Sequence, residues 1–126
     1  MSPLTAQQTR SLELLLIERE KQLDAEIASA RDATRQRNDA RLGDVTDRKE
    51  GADQDVTEEV AEAETGRDIT ELNAVQAARL RLGAGLYGRC LDCAEPIAYA
   101  RLQAQPAASR CARCQTGHEE KLGQQR

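Results

Sequence analysis

Four cysteines, all between Cys90 and Cys114, constrain this chain more than any other feature. They form two Cys-x2-Cys pairs, Cys90 with Cys93 and Cys111 with Cys114, separated by 17 residues. Each such turn can aim both sulfurs at one ion about 2.3 Å away, and two turns complete a tetrahedron. Four ligands leave no open coordination position, so zinc held this way is structural rather than catalytic. Local apolar residues are few (Leu86, Leu91, Ile97, Leu102), and metal binding there substitutes for a hydrophobic core. Two disulfides, a redox Cys-x-x-Cys and an iron–sulfur cluster are the competing uses of the same sulfurs. No basic-then-apolar leader opens the sequence, which weighs against disulfides. The strand–helix surroundings of a thioredoxin are absent. Zinc is therefore the expected cofactor, ahead of iron–sulfur ligation. His118 is the only histidine, and with four sulfurs at hand it is expected to be an exposed residue of a short terminal helix.

The rest of the chain reads as helix. Leu12, Leu16, Leu23, Ile27 and Ala30 recur at three- and four-residue steps, with a gap at Arg19, and Leu15 widens the stripe. This is a helical period close to a heptad seam, predicted over Thr5 to Arg41. Thr5 and Gln8 have capping-box spacing. Such a helix is roughly 55 Å long and cannot bury its stripe alone. Its expected partner runs from Asp53 to Leu82, with Val56, Val60, Ala63, Ile69, Leu72, Val75 and Leu80 as apolar positions. The stretch between, bracketed by Gly43 and Gly51, reads as the turn of an antiparallel helical hairpin. Gly83 and Gly85 signal the end of the second helix. The expected organisation is residues 1–84 as a helical region with its hairpin tip at 43–55, then 85–126 as a zinc finger and C-terminal helix.

Composition narrows the function. Phe and Trp are absent and Tyr occurs twice, so a β-sandwich or barrel core is not expected. No run approaches the length of a membrane span. A net charge of −4 and a pI near 5.1 argue against nucleic acid as the main partner. Between Asp44 and Glu64 there are nine acids and two bases, a local net of −7, so the remainder nets +3. There is no phosphate-binding glycine loop and no Ser-His-Asp set, so the chain is not expected to be an enzyme.

The residues Leu86-Tyr87-Gly88-Arg89-Cys90-Leu91-Asp92-Cys93, then Ile97, Arg101-Leu102, Ala104, Pro106 and Cys111-Ala112-Arg113-Cys114, resemble the zinc finger of the DksA/TraR family, and the helical hairpin resembles that of its longer members. The resemblance implies a mainly α fold: a long antiparallel coiled-coil hairpin, a four-cysteine finger and a short C-terminal helix. It implies RNA polymerase as the partner, with the hairpin in the secondary channel and its acidic tip near the active-site region. It further implies altered initiation-complex lifetimes, often together with guanosine tetraphosphate.

Three departures from the family pattern matter. The tip motif Asp-x-x-Asp-x-Ala falls on Asp47-Arg48-Lys49-Glu50-Gly51-Ala52, so Asp47 and Ala52 match while Glu50 carries its carboxylate one methylene further out. The glycine usual after the second cysteine is Ala94 here, and a positive φ at that knuckle would strain it. The basic residues at the hairpin–finger junction that serve guanosine tetraphosphate correspond to Arg67, Thr70, Ala74, Gln105 and Gln115, of which only Arg67 is basic. A tetraphosphate needs several charge-assisted contacts, so a weak or absent nucleotide response is expected.

The resulting expectation is a cytoplasmic, monomeric transcription regulator acting through RNA polymerase, without sequence-specific DNA binding and without a membrane. The arginines of the finger (Arg89, Arg101, Arg110, Arg113) are expected to meet protein or solvent. The alternatives are a zinc-stabilised polymerase-interaction protein that has lost the regulatory effect, and a thiol redox enzyme.

Overall fold

The computed structural model describes residues 3–43 and 51–124, with side chains over 3–40 and 57–123. Among the described residues the helices are α1 (Ala6–Gly43), α2 (Gly51–Gly83), α3 (Tyr99–Ala104) and α4 (Ala112–Gln124). Among the described residues the only β pairing is an isolated antiparallel bridge between Arg89 and Pro96. The fold is thus the mainly α one expected, and no described helix is long and apolar enough to cross a membrane.

The ends of the long helices are set by local chemistry. Thr5 N–H donates to Gln8 Oε1 at 3.0 Å, and Gln8 N–H donates to Thr5 Oγ1 at 3.1 Å. That reciprocal exchange is a capping box and satisfies two N-terminal amides that the helix itself cannot. At the other end of α2, Leu86 N–H reaches back to Arg81 O at 2.9 Å and Gly85 N–H to Leu82 O at 3.2 Å. Gly85 sits at φ +73°. This is a Schellman closure, and Gly85 supplies its left-handed residue.

The chain packs as two units, residues 1–20 with 73–126, and residues 21–72. In the first, Leu12 joins Cys90, Ile97 and Leu102 in one buried cluster, with Leu4, Tyr87 and Tyr99 packed against it. Leu16, Val75 and Ala78 are buried in the same unit. Arg79 Nη1 meets Glu20 Oε2 at 2.6 Å, an ion pair between α2 and α1. In the second unit, Leu23 and Ile27 are the buried side chains among the described residues.

On α1 the predicted stripe holds at Leu12, Leu16, Leu23 and Ile27, but Leu15 is 44% exposed. The α2 expectation needs more correction. Val60, Ala63, Ile69 and Leu80 are exposed, Leu80 at 76%. The positions turned inward are Ala61, Thr65, Asp68 and Leu72, then Val75 and Ala78. Steps of four and three residues link them up to Val75, which is a heptad register. The large aliphatic residues of α2 belong to more than one register. Packing selects the one through Leu72 and Val75, and this brings small and polar side chains into the seam.

Candidate metal centre

The first cysteine pair lies on a tight turn. Ile97 N–H donates to Gly88 O at 2.8 Å and Cys90 N–H to Glu95 O at 2.9 Å. Inside these, Ala94 N–H closes onto Cys90 O at 3.0 Å. The turn needs left-handed backbone twice, at Gly88 (φ +84°) and at Ala94 (φ +63°). Gly88 is also a close approach, because a Cβ there would sit 2.7 Å from Leu4 Cδ1. The strain expected at Ala94 is therefore present: an L-residue in this region costs roughly 1–2 kcal/mol.

The second pair starts α4. Cys111 precedes the helix, Cys114 lies in its first turn, and Gln115 N–H donates to Cys111 O at 2.9 Å. Several hydrogen bonds hold the two turns in register. Leu91 N–H donates to Ser109 O at 2.9 Å. Arg110 Nε donates to Asp92 Oδ2 at 2.9 Å, and Arg101 Nε to Arg110 O at 3.0 Å. Tyr87 O–H donates to Pro106 O at 2.7 Å, pinning the connecting loop.

These turns bring Cys90, Cys93, Cys111 and Cys114 together, with all four sulfurs within 4.8 Å of one another. Cys93 Sγ lies 3.9 Å from Cys111 Sγ. A tetrahedron of 2.3 Å zinc–sulfur bonds has sulfurs about 3.8 Å apart. None of the four is in a disulfide. Cys90 is buried and the other three are half-buried.

The ionisation behaviour fits the same occupant. Burial of Cys90 works against its thiolate, but backbone N–H groups of Cys93, Cys111 and Asp92 outweigh it and hold the pKa at about 6. Cys114 is pushed up to about 12, first by its hydrogen bond with Cys111, then by desolvation and the other two cysteines. At Cys93 the Glu95 amide favours the thiolate, yet burial and the neighbouring sulfurs raise the pKa overall. Four thiolates at this spacing repel one another, and a divalent cation at their centre removes that repulsion. The four sulfurs therefore fit a structural zinc ion, and their closed geometry offers no position for a substrate.

Other predicted site residues fall elsewhere. His118 is half-buried on α4 and borders a shallow recess with Cys114, Leu91 and Lys121. It is not part of the metal-binding group among the described residues. Asp47 and Glu50 lie outside the described residues, as does the side chain of Ala52. Arg67 is exposed on α2 in the 21–72 unit. Gln105 and Gln115 belong to the other unit, and Gln115 Nε2 is engaged with Glu119 Oε1 at 3.0 Å.

Sequence reasoning missed two features of the centre. Leu4 and Leu12 pack into the finger from some 80 residues away in the chain, and no local pattern signals it. The Asp92–Arg110 pair had a weak signal, in that each residue is adjacent to a cysteine pair or within one.

Residues 85–120 match the family described as the prokaryotic dksA/traR C4-type zinc finger. The fold is similar to that of the transcription factor DksA2 from Pseudomonas aeruginosa, with a TM-score of 0.77 and 24% identity over 93% of this chain and 87% of that one. Among curated protein sequences none matches significantly.

Proposed function

We propose that this chain, a DksA/TraR-type zinc finger on a DksA-like fold, is a transcription regulator that acts by binding RNA polymerase. The observation that carries the reading is the joint one: a family match over the finger at 85–120 and fold similarity to DksA2 over 93% of the chain. The partner is a protein, not a DNA sequence. An overall charge of −4 with nine acids in 44–64 suits a basic, metal-containing channel better than a phosphate backbone.

In this reading the zinc site organises the finger, and the finger with the helix ends docks at the rim of the secondary channel. Asp47, Glu50 and Ala52 form the hairpin tip that acts on the open complex. The action is allosteric and non-covalent, and a coupling of about 1.4 kcal/mol shifts the open-complex equilibrium tenfold. The chain works as a cytoplasmic monomer. Guanosine tetraphosphate binds weakly or not at all, because Arg67 alone is basic among Arg67, Thr70, Ala74, Gln105 and Gln115.

The test is binding of fluorescently labelled, zinc-loaded protein to RNA polymerase by polarisation, with open-complex lifetime at a ribosomal promoter read in parallel. Tight binding with a lifetime change abolished by Asp47→Asn is the expected result. Binding without a lifetime change would leave a channel occupant that does not regulate. Absence of binding by zinc-loaded protein would refute the proposal.

A further inference from the structure

The unit formed by residues 21–72 is unevenly packed. Leu23 and Ile27, near one end of its α1 segment, are its buried side chains among the described residues. From Arg31 to Ala40, Arg37 alone is not fully exposed. Facing that stretch across a groove of about 380 Å³ are Ala61, Thr65, Gly66 and Ile69, opposite Ala30, Ala33 and Thr34. The seam there is made mainly of small side chains and hydroxyls, with Ile69 the one large aliphatic residue lining it and Arg31, Arg37 and Glu62 bordering it as well. Thr65 turns its hydroxyl back to Ala61 O at 2.9 Å and Thr34 does the same to Ala30 O at 3.0 Å, so neither side chain bonds across the groove. Arg37 Nη2 donates to Thr34 Oγ1 at 3.2 Å within α1, while Arg37 Nε is buried without a hydrogen-bond partner among the described residues, a cost to the closed pair.

Helices in water owe most of their stability to a packed apolar face rather than to propensity. Where that face is missing, the pair should separate long before the whole chain unfolds. We infer that the hairpin segments 31–40 and 57–69 form a locally opening unit. They separate and re-close while the leucine-packed part of the hairpin and the finger stay folded. The ordered pair is then a state that a partner gripping both helices stabilises, and the apparent dissociation constant is the intrinsic one divided by the fraction of chains in which the pair is closed. The inference concerns the free chain and does not depend on what that partner is.

Hydrogen exchange read by mass spectrometry on the zinc-loaded full chain tests it. Peptides from 31–40 and 57–69 are expected to exchange about a hundredfold or more faster than peptides from 8–27 and 72–82. A second arm fills the groove with Ala33→Leu and Thr65→Leu together. This is expected to slow exchange in both segments about tenfold and leave 8–16 unchanged. Equal protection across the four segments in the natural chain would overturn the inference. So would a filled groove, verified as folded by circular dichroism, that left exchange in 31–40 and 57–69 as it was.

Discussion

Arg110 Nε donates to Asp92 Oδ2 at 2.9 Å, joining the turn of the first cysteine pair to the residue that precedes the second. The contact spans 18 positions of sequence and lies directly beside the four sulfurs. It adds a side-chain link between two turns that also meet through the Leu91–Ser109 backbone bond and the Cys93–Cys111 sulfur contact.

Because the pair is partly exposed, at 23% for Arg110 and 46% for Asp92, its contribution is modest. Asp92→Ala is expected to lower the stability of the zinc-loaded chain by about 0.5–1 kcal/mol. A double-mutant cycle with Arg110→Ala, followed by denaturant unfolding, measures the coupling. A coupling energy of zero would mean the two turns are held by metal and backbone alone.

Zinc uptake should release protons. The finger is expected to be unfolded without metal, and a free cysteine thiol ionises at about 8.5, so at pH 7.5 the metal-free chain carries most of its four sulfurs as thiols. Binding therefore displaces at least two protons, and apparent affinity rises about a hundredfold or more per pH unit below pH 8. Calorimetry in two buffers of different ionisation enthalpy counts them. A count below two would contradict the arrangement described.

Removing zinc should unfold the finger and spare the hairpin. The finger's cluster has few members besides Cys90: Leu12, Ile97 and Leu102 are the others fully buried. Leu23 and Ile27 owe nothing to the metal. Chelation or Cys111→Ser is expected to abolish exchange protection over 88–114 while most of the helical circular dichroism signal remains. Retention of finger protection without metal would show that the apolar cluster suffices.

Two backbone positions predict opposite signs. Gly88→Ala places a methyl group 2.7 Å from Leu4 Cδ1 at φ +84°, and should cost about 2 kcal/mol or more. Ala94→Gly at φ +63° removes left-handed strain from an exposed position. Part of that gain is lost to glycine's greater freedom when unfolded, leaving a stabilisation of about 0.5–1 kcal/mol. Thermal unfolding of the two zinc-loaded variants reads both signs.

Tyr87 should titrate late. Burial raises its phenol to about 12, against an opposing effect of Arg81, while an unfolded tyrosine ionises near 10. The fold thus favours the protonated phenol. Its contribution to stability is intact below pH 10 and is lost as pH rises from 10 through about 12. In Tyr99→Phe, Tyr87 is the sole tyrosine, and phenolate absorbance should rise with a midpoint well above 10. A midpoint at 10 would mean the phenol is not buried as described.

Residue order alone specified much of this protein. Thr5 and Gln8 are three positions apart and form the cap that spacing implies. Two Cys-x2-Cys turns bring four sulfurs together because each turn is a local geometry that few residues control. Leu12, Leu16, Leu23 and Ile27 mark the buried face of α1, since they recur at heptad steps, while Leu15 falls outside it. Tertiary packing decided the rest. The inward face of α2 runs through Ala61, Thr65 and Asp68 instead of Val60 and Ala63, with Ile69 at its margin, because the register is set by packing through Leu72 and Val75. Leu4 and Leu12 complete the finger's core, a contact between residues far apart in the chain that no local period encodes. Both outcomes depend on which surfaces meet, and side-chain size and hydrophobicity along one helix do not carry that information.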